Sequence, residues 1–177
     1  MDNVKVIERY IILLLGVRER PIPTATHLQK ELFALTKANP RMADHISFDK
    51  HYYGPFSDDV KSISLSPIYH RDAYIMDAYN RLHLTESGGE MFNDLISDNS
   101  DRPRFQELLA MMMMVRDLYD DLSTNEVLFL VYVTYEEYTE RSSLSDELLS
   151  PTKRRQLSKR LLEKGAITSE RYEELVG

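Results

Sequence analysis

Histidines, carboxylates and glycines are the residues of this chain that could support catalysis or metal binding, but their spacing supports neither. No two of the five histidines lie three or four residues apart, so no helical turn presents two imidazoles to one metal ion: His27, His45, His51, His70 and His83. The adjacent carboxylates Asp120-Asp121 and Glu136-Glu137 point to different sides of a helix and do not form acid–base pairs. The 177 residues include no cysteine and six glycines, without a phosphate-binding loop or nucleophile elbow. We therefore predict a protein that is not an enzyme and has no metal or cofactor.

Basic side chains could bind phosphate groups, and they form two sets. One set surrounds a predicted hairpin and the other lies on a predicted helix near the C terminus: Lys61, Arg71 and Arg81, then Lys153, Arg155, Lys159 and Arg160. The second set occupies one half of its helix, opposite Leu157 and Leu161, which fits a solvated face or a docking surface for nucleic acid or an acidic partner. The net charge of −7 gives little general attraction to nucleic acid, so any DNA contact depends on these sets.

Apolar residues at helical spacing predict three helices in the first third of the chain. The first runs from Val4 to Leu15, before Pro21. Thr26 has the spacing of a capping box with Gln29 and predicts the start of the second helix, which ends before Asn39-Pro40. Residues 46–55 predict a loop or short strand ending in a Gly-Pro turn. The third helix is short, with Ser57 as its N-cap, and it stops before Pro67.

The middle of the chain predicts a hairpin and then a helix. Residues 73–76 and 82–84 are short strand-like runs separated by a turn, and Thr85 can cap the helix that follows. The polar segment 97–103 predicts a linker.

The sequence of the C-terminal part predicts helices throughout. A long helix is predicted over 104–121, and its Met111 to Met114 run places apolar side chains all round the rod, which predicts burial on several sides. The alternative for the methionines is an exposed, adaptable surface for homodimerisation. Ser123 and Glu126 form a capping box, Pro151 begins a further helix, and Gly165 ends it before a short final helix.

Three segments resemble a known family. They are Thr26-His27-Leu28-Gln29-Lys30-Glu31-Leu32-Phe33, Tyr53-Gly54-Pro55-Phe56-Ser57 and Leu84-Thr85-Glu86-Ser87-Gly88. Together they resemble the YwgA-like small prokaryotic proteins and, more distantly, antitoxin modules of the SocA and Panacea type, over roughly the first 95 residues. The resemblance implies a winged-helix core and a regulatory or antitoxin-like role, and it carries no catalytic residues.

The third helix of this chain differs from the recognition helix of a standard DNA-binding helix-turn-helix protein. Helices two and three are separated by residues 40–57, where a helix-turn-helix uses a turn of about three or four. Asp58 and Asp59 stand at the start of helix three, where a recognition helix approaches phosphates, and they would repel the DNA backbone. Binding of a partner protein is therefore the favoured interpretation, and DNA binding is the alternative.

These observations together predict an α+β, mostly α fold. A winged helix-turn-helix-like module covers residues 1–98, and a helical region covers 99–177 and packs on it. The longest apolar runs, 10–15 and 127–133, are much shorter than the roughly 20 residues of a membrane span, and no signal peptide is recognisable. The sequence therefore predicts a cytoplasmic regulatory protein, antitoxin-like, that binds a partner protein and no membrane.

Overall fold

The computed structural model describes residues 2–177, of which most are helical. These described residues are 64% helix and 7% strand, which confirms the predicted α+β, mostly α class. The helices are α1 (Asn3–Gly16), α2 (Ala25–Ala38), α3 (Pro40–Ala43), α4 (Asp58–Leu65), α5 (Glu86–Asp98), α6 (Pro103–Tyr119), α7 (Thr124–Thr134), α8 (Ser143–Leu148), α9 (Pro151–Glu163) and α10 (Ser169–Val176). The strands are β1 (Asp49–His51), β2 (Gly54–Phe56), β3 (Tyr74–Met76) and β4 (Leu82–Leu84).

Helix ends follow the cap signals of the sequence in all but one case. Ser57 accepts a hydrogen bond from Val60 N, Thr85 accepts one from Gly88 N, and Ser123 forms a complete capping box with Glu126. The predicted start of the second helix at Thr26 is wrong. Thr24 is the N-cap instead, because its side chain accepts from His27 N while Thr26 lies within the first turn.

Two antiparallel hairpins frame α4. The predicted hairpin forms with Tyr74 opposite Leu84 and Met76 opposite Leu82, and Ile22 adds an antiparallel bridge to Leu82. The segment expected to be a loop or short strand forms a second hairpin, β1–β2, in which His51 pairs with Gly54. The turn between β1 and β2 ends at Gly54, where φ is +81° and a residue without a side chain is favoured.

Two apolar clusters form the interior and meet within α6. The first joins α1 and α2 to both hairpin strands β3 and β4 and continues to Met112, and the second runs from Tyr119 to Leu175. The first cluster thus extends past residue 98, whereas the domain division at that residue stays a prediction. Burial on several sides was predicted for the Met111 to Met114 run. Met112 is buried and Met111 and Met113 are half-buried, whereas Met114 is 70% exposed.

Among residues 2–177, no helix is both long and apolar enough to cross a membrane.

Candidate protein-docking site

Large apolar side chains are exposed around α4 and the β3–β4 hairpin. Leu65 is 60% exposed, Ile68 57% and Ile75 60%, and all three line one open depression beside β3. Leu65 also lines a second, adjoining cavity together with Tyr53 from the β1–β2 turn. These four residues, Tyr53, Leu65, Ile68 and Ile75, are called here the α4–hairpin face. An exposed apolar cluster of this kind is typical of a surface that binds another protein.

The first basic set contributes to this face only in part. Lys61 lines the cavity beside Tyr53, and Arg71 lines the depression beside Ile75. The Arg81 guanidinium is instead engaged, since its Nε donates to Asp77 at 2.8 Å and it lies over the ring of Tyr79. The face thus carries two basic groups, whereas Asp58 and Asp59 at the start of α4 are exposed but line neither the depression nor the cavity.

The second basic set belongs to a different part of the molecule. Helix α9 packs through Leu157 and Leu161, which are buried in the second apolar cluster, as the sequence predicted. The basic side chains on the opposite side are exposed or half-exposed: Lys153, Arg155, Lys159 and Arg160. Lys159 Nζ lies 3.9 Å from Glu163 Oε1, so a carboxylate on the same helix offsets part of the lysine charge. The two basic sets therefore lie on different parts of the molecule and do not form one surface. A nucleic-acid role for either set stays a prediction.

The Tyr53-Gly54-Pro55-Phe56-Ser57 motif fastens α4 to the rest of the molecule. Ser57 N donates to Gln29 Oε1 and Gln29 Nε2 donates to Ser57 O, both at 2.9 Å, which links the N-cap of α4 to α2. Pro55 O accepts from Lys30 Nζ at 2.7 Å. A side chain at Gly54 would begin 3.1 Å from the ring of Tyr132 on α7. Each of these contacts fixes the position of α4 relative to α2 and α7, so the motif supports the face structurally.

The loop between α4 and β3 is held by a buried carboxylate on α1. Glu8 accepts hydrogen bonds from the backbone N–H groups of Ile68, Tyr69 and His70, and from His70 Nδ1 at 2.9 Å. Burial by itself would raise the pKa of Glu8, but these hydrogen bonds outweigh it and lower the pKa. An ionised Glu8 therefore anchors the segment that carries Ile68.

A polar network is buried where α1, α2 and α6 meet. Arg116 is fully buried, and its guanidinium donates to Leu14 O, to Arg20 O and to Asp120 Oδ2, each at 2.7 Å. Glu31 on α2 is also fully buried, and no described residue donates a hydrogen bond to its carboxyl oxygens or to Asp120 Oδ1. Burial, together with the neighbouring Asp120, raises the pKa of Glu31 well above its usual range. Burial and the nearby Asp120 therefore favour the neutral, protonated form of Glu31.

Replacing Glu31 with glutamine should remove a pH dependence of stability. Glu31 keeps its proton in the folded state but loses it in the unfolded chain above about pH 4.5, so the free energy of unfolding falls as the pH rises past that value. A glutamine amide can donate to Asp120 without ionising, so we expect Glu31→Gln to be more stable than the parent by at least about 1 kcal/mol at pH 8 and nearly equal at pH 4.

Urea unfolding of both proteins at several pH values measures this difference, because the other titrating groups are common to both and cancel. Glu107→Gln, an exposed position on α6, is the control and should follow the parent at every pH. A constant difference between Glu31→Gln and the parent from pH 4 to 8 would show that Glu31 is ionised in the folded protein.

Neither the buried network nor Lys30 was recognised from the sequence. Gln29, Lys30 and Glu31 were taken as part of a resemblance, and Asp120 only as half of an adjacent pair. The signal that could have been used is Arg116, a charged residue that directly follows the apolar 108–115 stretch of α6. A charge in such a position predicts a buried partner of opposite charge or a set of backbone acceptors.

The histidines serve as local hydrogen-bonding groups. His27 lies between Thr24 Oγ1 and Leu122 O, and burial lowers its pKa, so its ring is neutral. His70 and His83 pair with Glu8 and Asp77. Within residues 2–177, no three histidine or carboxylate side chains are grouped so that they could hold a metal ion.

Three features of this chain can be compared with known proteins: the exposed apolar face, the acidic start of α4 and the buried polar network. No family model matches the chain, and the curated proteins include no significant match.

Proposed function

We propose that this chain is a non-catalytic regulatory protein, antitoxin-like, that acts by binding a partner protein through the α4–hairpin face. The observation that carries the proposal is the grouping of Tyr53, Leu65, Ile68 and Ile75 as exposed apolar side chains on one surface. Burying three or four such side chains supplies the apolar centre of an ordinary protein–protein interface.

The order of elements supports a winged-helix module as the carrier of this face. Helix α1, the Ile22 bridge to Leu82, α2, α4 and the β3–β4 hairpin occur in the order of a winged helix, with α3 and the β1–β2 hairpin inserted between α2 and α4. In this interpretation α4 takes the place of the recognition helix and β3–β4 that of the wing. The resemblance to YwgA-like and SocA or Panacea-type modules supports the regulatory role, and the cysteine-free composition supports a cytoplasmic location.

Single charges placed on the face test the proposal. Leu65→Glu and Ile75→Glu introduce carboxylates at exposed positions, where the fold tolerates them, but each would be desolvated in an interface. Met114→Glu is the matched control, because Met114 is an equally exposed apolar residue on α6. We expect the parent and Met114→Glu to capture similar amounts of the partner. Both face variants should capture at least about tenfold less of it.

The measurement is affinity capture from native extract treated with nuclease, quantified by mass spectrometry for the four proteins in parallel. A partner retained equally by the parent and both face variants would contradict the proposal. A partner lost only with Met114→Glu would identify α6 as the interaction surface, with a second copy of the chain as the first partner to examine.

DNA binding is the second candidate, and it is supported by Lys61 and Arg71 on the same face. If DNA is bound there, replacing Asp58 and Asp59 with asparagine should strengthen binding, because two negative charges leave the helix end that approaches phosphates. Fluorescence anisotropy on duplex DNA at low salt tests this with the parent, the asparagine pair and Lys61→Ala. Undetectable binding in all three would remove this candidate and leave partner-protein binding.

A further inference from the structure

A cavity of about 360 Å³ lies between α2, α4 and the two hairpins. Most of its wall is apolar and is formed by Leu28, Phe56, Leu65 and Met76. This volume equals that of about a dozen water molecules and is within the range of sites for small organic molecules.

The ionisable side chains at this cavity, apart from Tyr53, are of basic residue types. Lys30 from α2, His51 from β1 and Lys61 from α4 line it, and no residue of the lining carries a carboxylate. Ala25 and Thr26 place the first turn of α2 at the wall, and the N-terminal end of a helix adds partial positive charge. The electrostatic surroundings therefore favour a negatively charged occupant.

Lys30 is the unusual member of this set. Its side chain is only 1% exposed, and the structure gives its ammonium neither an acidic partner nor any described hydrogen-bond acceptor other than Pro55 O. An ammonium has three hydrogen-bond donors, and burying one without a counter-charge costs free energy. Burial accordingly lowers the pKa of Lys30 to about 7. An anion in the cavity would supply the missing charge.

We propose that this cavity binds a small organic carboxylate with an apolar body, the carboxylate pairing with Lys30 and Lys61 and the body lying against Leu28, Phe56 and Met76. The proposal goes beyond partner binding. The cavity shares Tyr53 and Leu65 with the α4–hairpin face, but the tests below use no partner protein. The apolar wall selects against small inorganic anions, which gain nothing from contact with carbon atoms.

Isothermal titration calorimetry with 2-naphthoate and its uncharged analogue 2-naphthamide tests the anion requirement. We expect 2-naphthoate to bind the full-length protein at least about tenfold more tightly than 2-naphthamide, since only the carboxylate gains the ion pair. Equal affinity for the two compounds, or no binding of either, would overturn the proposal.

Variants locate the site. Lys30→Met removes the buried charge and should weaken 2-naphthoate binding about tenfold or more, whereas Lys37→Met, on the same helix but outside the cavity, should leave it unchanged. Ala25→Trp changes an exposed position at the wall, keeps every charge, and should block the cavity to both compounds. Circular dichroism confirms that each variant is folded, and if Lys30→Met does not fold, Ala25→Trp decides. Unchanged binding to Ala25→Trp would place the ligand elsewhere.

Proton uptake is an additional readout specific to Lys30. At pH 8 the free protein carries Lys30 largely uncharged, so binding of the anion should take up between about 0.5 and 1 proton, measured from the binding enthalpy in buffers of different ionisation enthalpy. The other titratable groups at the cavity are His51, Tyr53 and Lys61. The uptake should persist in His51→Gln and disappear in Lys30→Met. Binding to the parent without proton uptake would contradict the pairing with Lys30.

Discussion

Replacing Arg116 with methionine should lower the free energy of unfolding by about 3–5 kcal/mol, the range for removing one partner of a buried ion pair. The guanidinium donates to Leu14 O in the last turn of α1, to Arg20 O in the segment after that helix, and to Asp120 Oδ2. Helix α1 ends with carbonyl groups that have no partner within the helix, so Arg116 satisfies them from α6. Methionine fills a similar volume but leaves two carbonyls without this donor and Asp120 with Arg20 as its remaining basic partner.

Urea or thermal unfolding followed by circular dichroism measures this loss. Arg104→Met, at an exposed position in the first turn of the same helix, is the control and should stay within about 0.5 kcal/mol of the parent. Arg116→Lys keeps the charge but cannot reproduce the divergent donors of a guanidinium, so it should recover only part of the stability. If Arg116→Met is as stable as Arg104→Met, the network contributes nothing to holding α1 on α6.

The adjacent glycines at the start of α5 should respond in opposite directions to alanine. A Cβ at Gly88 would lie 1.9 Å from Ala73 O, a backbone atom that also accepts from Thr85 N at 3.0 Å. Relieving this clash requires movement of the strand or of the N-cap, and we expect Gly88→Ala to lower the free energy of unfolding by about 2–4 kcal/mol.

Gly89→Ala is the internal control, since nothing lies within 4 Å of a Cβ at that position. Alanine should raise the free energy of unfolding there by about 0.5–1 kcal/mol, because glycine loses more backbone entropy in a helix. The two unfolding curves should therefore fall on opposite sides of the parent curve. Equal effects of both substitutions would mean that α5 does not contact the backbone of residue 73 as closely as described.

Hydrogen bonds from three buried side chains hold the elements that carry the α4–hairpin face. Gln29 holds the start of α4, Glu8 holds the loop after it, and Arg116 holds α1 against α6. In the partner binding that we propose, a face held by these hydrogen bonds would lose little conformational freedom, which would favour affinity.

Local chemistry in the sequence determined the helix ends and the β3–β4 hairpin. A cap is a contact between residues two or three apart, so Ser57, Thr85 and the Ser123–Glu126 pair could be recognised without knowledge of the fold. The failure at Thr26 has the same origin, because Thr24 offers an equivalent hydroxyl two residues earlier. The β1–β2 hairpin was less visible, since its three-residue strands contain Asp49, Lys50 and His51 rather than an apolar alternation.

Only the tertiary structure decided which polar residues are buried and which apolar ones are exposed. Lys30 and Glu31 look like solvent-facing residues of an amphipathic helix, yet α2 is enclosed by α4, α6, α7 and β2, so both are buried. The backbone acceptors of Arg116 lie about a hundred residues away along the chain. Leu65 and Ile75 are exposed because no other element of the fold covers them. Helix periodicity specifies the direction of a side chain around its own axis, whereas its surroundings depend on how all the helices assemble.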